Sequence, residues 1–363
     1  MTYWDDSLEL TKRETQMAKG IAILAMVILH LFCRLGDLPY TPWLYIGNTP
    51  LVYYFGQFGG ICVPIYCFCS GYAHYLLRER EGKRYFRRIL PKALSFLCNY
   101  WIVLLLFSVV GLVLGNEVMP ISWKTFLGNV FLYGMSYNGA WWFVLTYLLL
   151  LVLSPLTATV IKKIPSTITF FSSGVVYFIL YLFQHKISIT FPHPIGNWLW
   201  TQFLLLGTTQ FSYAVGMIFR KERLISRMRE IVEEKNRKNI RLVARLIVAS
   251  VPLLMFLLSS LIPSAILTPI TGIGTIVCFW LMKKPPAVAA ALYYFGHHST
   301  NVWLVHMFFY TALFDQLVFK MKYPLPILIL MLMICLCASY VIQWLYNPLN
   351  KLMNQSGYQK IRA

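Results

Sequence analysis

The chain has 363 residues, of which 12% are charged and 58% hydrophobic, whereas a soluble domain carries about 25% charge. That excludes a water-soluble protein, which has no core large enough for so much apolar surface, and a disordered one, which is apolar-poor and charge-rich. A polytopic membrane protein remains, and its net charge of +19 suits cytoplasmic loops and anionic lipid head groups rather than nucleic acid.

A span needs about 20 apolar residues. On that rule the sequence predicts an all-α membrane protein of ten spans, at roughly 15–35, 51–77, 91–115, 139–161, 167–184, 196–219, 241–262, 265–282, 299–319 and 324–346. With the N-terminus inside, 27 Lys and Arg fall on the cytoplasmic side. Five fall outside: Arg34, Lys124, Lys186, Lys320 and Lys322. This is the asymmetry of the positive-inside rule, and it puts both termini in the cytoplasm. The start, residues 1–10, is polar and acidic, so no cleavable signal peptide is expected and the first span serves as its own targeting signal. Segment 220–241 alternates charges, which suits a short cytoplasmic helix. There is no Pro/Gly/Ser linker, so 1–363 reads as one transmembrane domain. The eight cysteines lie in apolar runs and behave as small hydrophobes. Cys67 and Cys69 are too close for a CxxC pair, and no metal site is expected.

Ionisable groups at membrane depth are costly and mark function. His30 in the first span is the clearest. Lys19 lies 11 residues earlier, which places the two within about 20° on one helix face and about 16 Å apart along it. Arg34 follows one turn beyond His30 on a nearby face. The next feature is Pro64 to Ser70-Gly71-Tyr72, followed by seven positive charges between Arg78 and Lys92. Arg84, Arg87 and Arg88 group on one side of a helix and can hold phosphates by paired donors or bind lipid head groups. Pro91 is expected to open the third helix. Asn138-Gly-Ala-Trp141-Trp142-Phe143 reads as an interfacial belt or as an aromatic floor for a sugar ring. Finally, Ser299 to Trp303-Leu-Val-His306 puts His306 inside the ninth span, with His297 and His298 at its cytoplasmic end.

In this order these segments resemble acyltransferase family 3, integral-membrane enzymes that O-acylate surface glycans. The likeness runs over about 15–350. It rests on the basic residue, ten more and His30; on Pro64 to Tyr72; on Tyr85-Phe86-Arg87-Arg88-Ile89-Leu90-Pro91; on Trp141-Trp142-Phe143 with Ser154-Pro155; and on Ser299 to His306. The resemblance implies a ten-span enzyme of the bacterial plasma (inner) membrane. Its donor would be acyl-CoA, most simply acetyl-CoA, entering from the cytoplasm. Its acceptor would be an extracytoplasmic glycan, a lipid-linked sugar or a small molecule. His30 maps to the family's catalytic base. The family's basic partner on that helix is usually Arg, and here it is Lys19, which lacks the fork of parallel donors. Lys83, Arg84, Arg87 and Arg88 map to the family's basic run, with Ser70 and Tyr72 on the same donor side. Some members carry a fused extracellular esterase-like domain, and none is expected here.

This chemistry suits the residues. The Arg84–Arg88 cluster can hold an anionic donor, and a neutral His30 can accept a hydroxyl proton or be acylated itself. Arg34 and His306 are candidates to stabilise the oxyanion. Asp315 and Asp37 are candidate carboxylates to orient His30, and Trp141, Trp142 and Asn138 are candidates to hold the acceptor. Membrane lipid and a second copy of the chain are candidate partners. The rival reading is a polytopic transporter or flippase of a glycan or small molecule, against which stands the lack of an inverted repeat.

Overall fold

The computed structural model describes residues 9–115, 122–233 and 238–362. The polar start and part of the charged run after Glu233 lie outside the described residues. The first helix, α1 (Lys12–Phe32), begins at a capping box in which Thr11 and Glu14 satisfy each other's backbone N–H. After a loop and a small hairpin, β1 (Tyr45–Ile46) with β2 (Thr49–Pro50), α2 (Leu51–Phe58) runs through a tightened turn at Gly59–Ile61 into α3 (Cys62–Glu81). Gly82 ends α3 at φ +57, a conformation that suits a residue without Cβ.

The rest is nearly all helix. In order come α4 (Phe86–Val113), α5 (Trp123–Val130), α6 (Trp142–Lys163), α7 (Ser166–His185), α8 (Pro194–Lys221), α9 (Leu224–Glu233), α10 (Lys238–Leu261) and α11 (Thr268–Leu281). They are followed by α12 (Pro286–Met307), a π turn at Phe308–Ala312, α13 (Asp315–Phe319) and α14 (Pro324–Arg362). Among the described residues six stretches are long and apolar enough to cross a membrane, the longest being Leu51–Val113, which Gly82 breaks between α3 and α4. Helices α8 and α12 are long enough too. Their buried faces carry Gln202, Thr209, Ser212, His298, Ser299 and Asn301, which dilutes their hydropathy.

Two expectations are corrected. Helix α4 starts at Phe86, so Pro91 lies inside it. The start is fixed by Tyr85, which is fully buried and bonded at 2.8 Å to Ser154 Oγ on α6. The predicted ninth span begins much earlier than 299, because Pro285 and Pro286 set up a helix start and the apolar run that follows continues it. His297 and His298 therefore sit in mid-helix. His298 is buried, its Nδ1 2.9 Å from Ser339 Oγ on α14.

Glycines bring the central helices together. A Cβ on Gly20 would overlap the Leu292 carbonyl, and one on Gly296 would overlap that of Gln16, so α1 and α12 approach backbone to backbone. Gly71 and Gly216 seat α3 on α8 in the same way, against Tyr213 and Phe68. Small residues at such crossings let van der Waals packing hold a bundle in lipid. Gly296→Leu should therefore cost at least ~1–3 kcal/mol and move α12 off α1. A detergent-solubilised variant should melt earlier than the parent in a fluorescence-detected thermal ramp.

The end of the bundle where α1 begins is tied by an ionic knot around the buried Glu9 and Arg220. Glu9 accepts from Tyr72 Oη and, at 2.7 Å, from Ser226 Oγ, and it lies 3.3 Å from Arg220 Nη1. Arg220 also holds Glu79 through Nε and Nη2 at 2.9 and 2.8 Å. Arg229 reaches Glu14 at 2.5 Å. The segment ahead of α1 is thus fastened to α3, α8 and α9. Helix α9 is not simply a solvated charged helix, since it buries Ile225, Ser226 and Val232.

Candidate active site

Between α1, α3, α6, α7, α8, α11 and α12 lies a cavity of about 580 Å³. Lys19 and His30 both line it, as their spacing requires. So do Ser70 and Tyr66 from α3, Trp142 and Tyr147 from α6, and Thr300 and Trp303 from α12. Among the described residues Lys19, His30 and His185 are the only Lys, Arg, His, Asp or Glu that line it. Among the described residues Lys19 has no carboxylate partner. A lysine in a mostly apolar channel without a counter-ion is a ready seat for an anionic or strongly polar group.

His30 does not stand alone. Its Nδ1 lies 2.5 Å from Nε2 of His306, and the two rings are parallel within 4° at a centroid separation of 4.8 Å. His306 is fully buried behind the cavity wall, with Nδ1 2.7 Å from the Trp303 carbonyl. A carbonyl cannot donate, so Nδ1 of His306 carries the proton. In the neutral ring Nε2 is then an acceptor, and His30 Nδ1 must donate to it. That leaves the lone pair of His30 at Nε2, on a ring that lines the cavity. The π turn directly after Met307 closes with Leu313 N bonding the Phe308 carbonyl at 2.8 Å. It interrupts the helix beside this pair, and such turns are frequent at functional sites.

The carboxylates expected to orient His30 lie elsewhere. Asp37 sits in the loop after α1 and Asp315 starts α13; both are exposed. The place beside His30 Nδ1 is taken by His306 instead. Arg34 Nη2 bonds the His30 carbonyl at 3.4 Å, and its guanidinium sits over Tyr310 and Phe319 at 6.0 and 5.7 Å. It does not line the cavity, so it stands behind His30 rather than facing a bound substrate.

The basic run lies where α3 ends and α4 begins. Lys83, Arg84 and Arg87 are exposed and, among the described residues, have no carboxylate partner. Arg88 is paired with Glu81 at 3.0 Å. Lys92 is half-buried with its ammonium 5.9 Å from the Tyr85 ring centre, within electrostatic reach of both Arg88 and Lys19. It stands between that cluster and Lys19 without lining the cavity itself. In the sequence it is the last of the seven positive charges between Arg78 and Lys92, and nothing but that place singles it out.

The chain matches the family model described as an acyltransferase domain over residues 15–344, nearly its whole length. The chain belongs to acyltransferase family 3. It is a membrane acyltransferase by family and by its apolar helices, and membership does not favour the transporter reading. No curated protein and no solved structure matches it.

In this acyltransferase several of the motif residues hold each other. Asn138 Nδ2 and Trp141 Nε1 both donate to the Leu304 carbonyl, at 3.0 and 2.9 Å, and Trp303 Nε1 donates to the Ala140 carbonyl at 3.0 Å. Trp141 and Asn138 are fully or almost fully buried. They clamp the turn before α6 to the turn of α12 that carries His306, and offer nothing to a ligand. Of the two tryptophans only Trp142 faces the cavity. Tyr72, expected on the donor side, is spent on Glu9, whereas Ser70, two residues earlier and on the opposite side of the helix, does line the cavity. The sequence reading also missed Gln57, Tyr177, Tyr181, Gln184 and His185, which line the cavity's other end. They carry no motif and lie on helices that read only as hydrophobic spans.

Proposed function

We propose that this acyltransferase moves an acyl group, acetyl in the simplest case, from cytoplasmic acyl-CoA to a hydroxyl of an extracytoplasmic glycan or lipid-linked sugar. The single observation that carries this reading is the His30–His306 pair, which leaves a basic nitrogen on the wall of a cavity whose other end holds Lys19. On this reading the chain spans a bacterial plasma membrane ten times as one domain, with both termini in the cytoplasm.

The residues divide the work by depth. Arg84, Arg87 and Lys83 hold the phosphates of the nucleotide at the surface, where a cavity of about 580 Å³ leaves no room for the whole donor. Lys92 and Lys19 extend the positive field inward. The uncharged pantetheine arm fits the apolar passage beyond them and brings the thioester to the level of His30. There His30 Nε2 takes the proton of the acceptor hydroxyl as its oxygen attacks the thioester carbonyl. The C–O bond forms, the C–S bond breaks, and the imidazolium returns its proton to the thiolate of CoA. His306 holds His30 in the tautomer that can do this. Arg34, held on the aromatic rings of Tyr310 and Phe319, sets the end of α1.

Because Arg88 is occupied by Glu81, the donor prediction falls on its neighbours. Arg84→Ala with Arg87→Ala should weaken acetyl-CoA binding, each lost charge-assisted contact being worth about 1.5–3 kcal/mol. The parent's binding should also weaken with added salt. Unchanged affinity in the double variant, measured by calorimetry, would reduce the cluster to a lipid anchor. The reading as a whole is tested by mass spectrometry of surface glycans from cells with and without the gene. Loss of an O-acyl mass increment without it is the expected result; identical glycans would contradict it.

A further inference from the structure

The cavity has a second end that the acyl-transfer chemistry does not use. It is formed by α2, the C-terminal turn of α7 and the connection between α10 and α11. Gly56 of α2 packs on Phe32 and Cys33, and Gly59 packs on Ala25 and Leu29. Gln57, between them, therefore stands at the level of His30. Its Nε2 donates to the Ser259 carbonyl at 2.5 Å, while its Oε1 is buried with no partner among the described residues. A buried amide oxygen left unpaired costs free energy unless a ligand supplies a donor. Across the space, Thr208 Oγ1 donates to Gln184 Oε1 at 3.0 Å, and among the described residues the amide nitrogen of Gln184 has no partner. Tyr181 and His185 present two rings 4.4 Å apart, and Tyr181 Oη is 3.2 Å from Ser264 Oγ.

We propose that this outer arm, between Gln57, Tyr181, Gln184, His185 and Ser264, is an acceptor subsite selective for an uncharged sugar ring. The inference rests on the acyl-transfer reading for the word acceptor; the binding preference follows from the wall itself. Two amides offer one free acceptor and one free donor, the complement of vicinal hydroxyls. The rings offer flat faces for the C–H side of a pyranose. Among the described residues no Arg, Lys, Asp or Glu lines this arm, so a carboxylate or phosphate on the bound ring would be desolvated with only the His185 imidazole to meet it. A hydroxyl held there faces His30, because Gln57 shares its level on the neighbouring helix.

The test is equilibrium binding to the full-length protein in detergent, read by quenching of tryptophan fluorescence. The probes are methyl glucoside, methyl galactoside and methyl mannoside, with methyl glucuronide as the charged counterpart. At least one neutral glycoside should bind about tenfold or more tightly than the glucuronide. Gln57→Met and Gln184→Met, made separately, should each weaken that glycoside about tenfold, the effect of a lost hydrogen bond at the upper end of its range. Equal binding of glucuronide, or neutral binding untouched by both variants, would overturn the subsite. Acetyl transfer from acetyl-CoA to the bound glycoside is measured separately. Selective binding without transfer keeps the subsite and fails the proposed function.

Discussion

His30→Gln should lower acyl transfer by about 10²–10⁴-fold, the contribution of a positioned general base, while the protein still inserts and still binds acetyl-CoA. The amide keeps the polarity of the side chain and its place on the cavity wall, but it cannot take a proton. The contacts proposed to bind phosphate lie beyond Lys19, about 16 Å away by helix rise, so donor affinity should stay near that of the parent. The readout is release of free CoA thiol with acceptor present, set beside acetyl-CoA binding by the same preparation. Near-normal turnover by a well-folded variant would remove His30 from the chemistry. Lys19→Arg, which restores the residue usual in the family, should be tolerated.

His306→Leu should be almost as damaging. Without His306 Nε2, the proton on His30 Nδ1 faces an apolar wall and the ring gains by shifting it to Nε2, the nitrogen that must be bare. An enzyme whose histidine is held in the wrong tautomer loses on the order of 10⁴ in rate; loss of at least about 10² is expected here. Since His306 acts through His30, its loss should appear in kcat and in the pH profile, with the KM for acetyl-CoA little changed. His306→Gln supplies an oxygen that can accept from His30 Nδ1 and should recover part of the rate. A purely structural His306 would give the opposite pattern: Leu would be tolerated as well as Gln, and both would shift the melting temperature without altering the pH profile.

Much of this was visible in the sequence wherever one helix carries the information. The shared face of Lys19 and His30 follows from their spacing alone, and the charge asymmetry of the loops follows from counting. What could not be read depends on helices far apart in the chain. His306 stands 276 positions from His30, and nothing local says that α1 and α12 touch. The glycines that bring them together, Gly20 and Gly296, look unremarkable in apolar runs. Trp141 and Trp142 differ by one step, and a 3₁₀ turn between Gly139 and Trp141 decides which faces the cavity. Pro91 was misplaced because the helix start is set by Tyr85 meeting Ser154 across the bundle. The outer arm was missed because glutamines and tyrosines on a span are ambiguous until the opposite wall is known.

The central claim, acyl transfer through the membrane by way of this cavity, is tested most directly in sealed vesicles with the protein in one orientation. Acetyl-CoA is supplied only on the face bearing Arg84 and Arg87, and a neutral methyl glycoside is trapped only on the other. The account predicts acetylated glycoside in the lumen and free CoA outside, both absent with His30→Gln. Acetyl ester forming only when donor and acceptor share a face would contradict it.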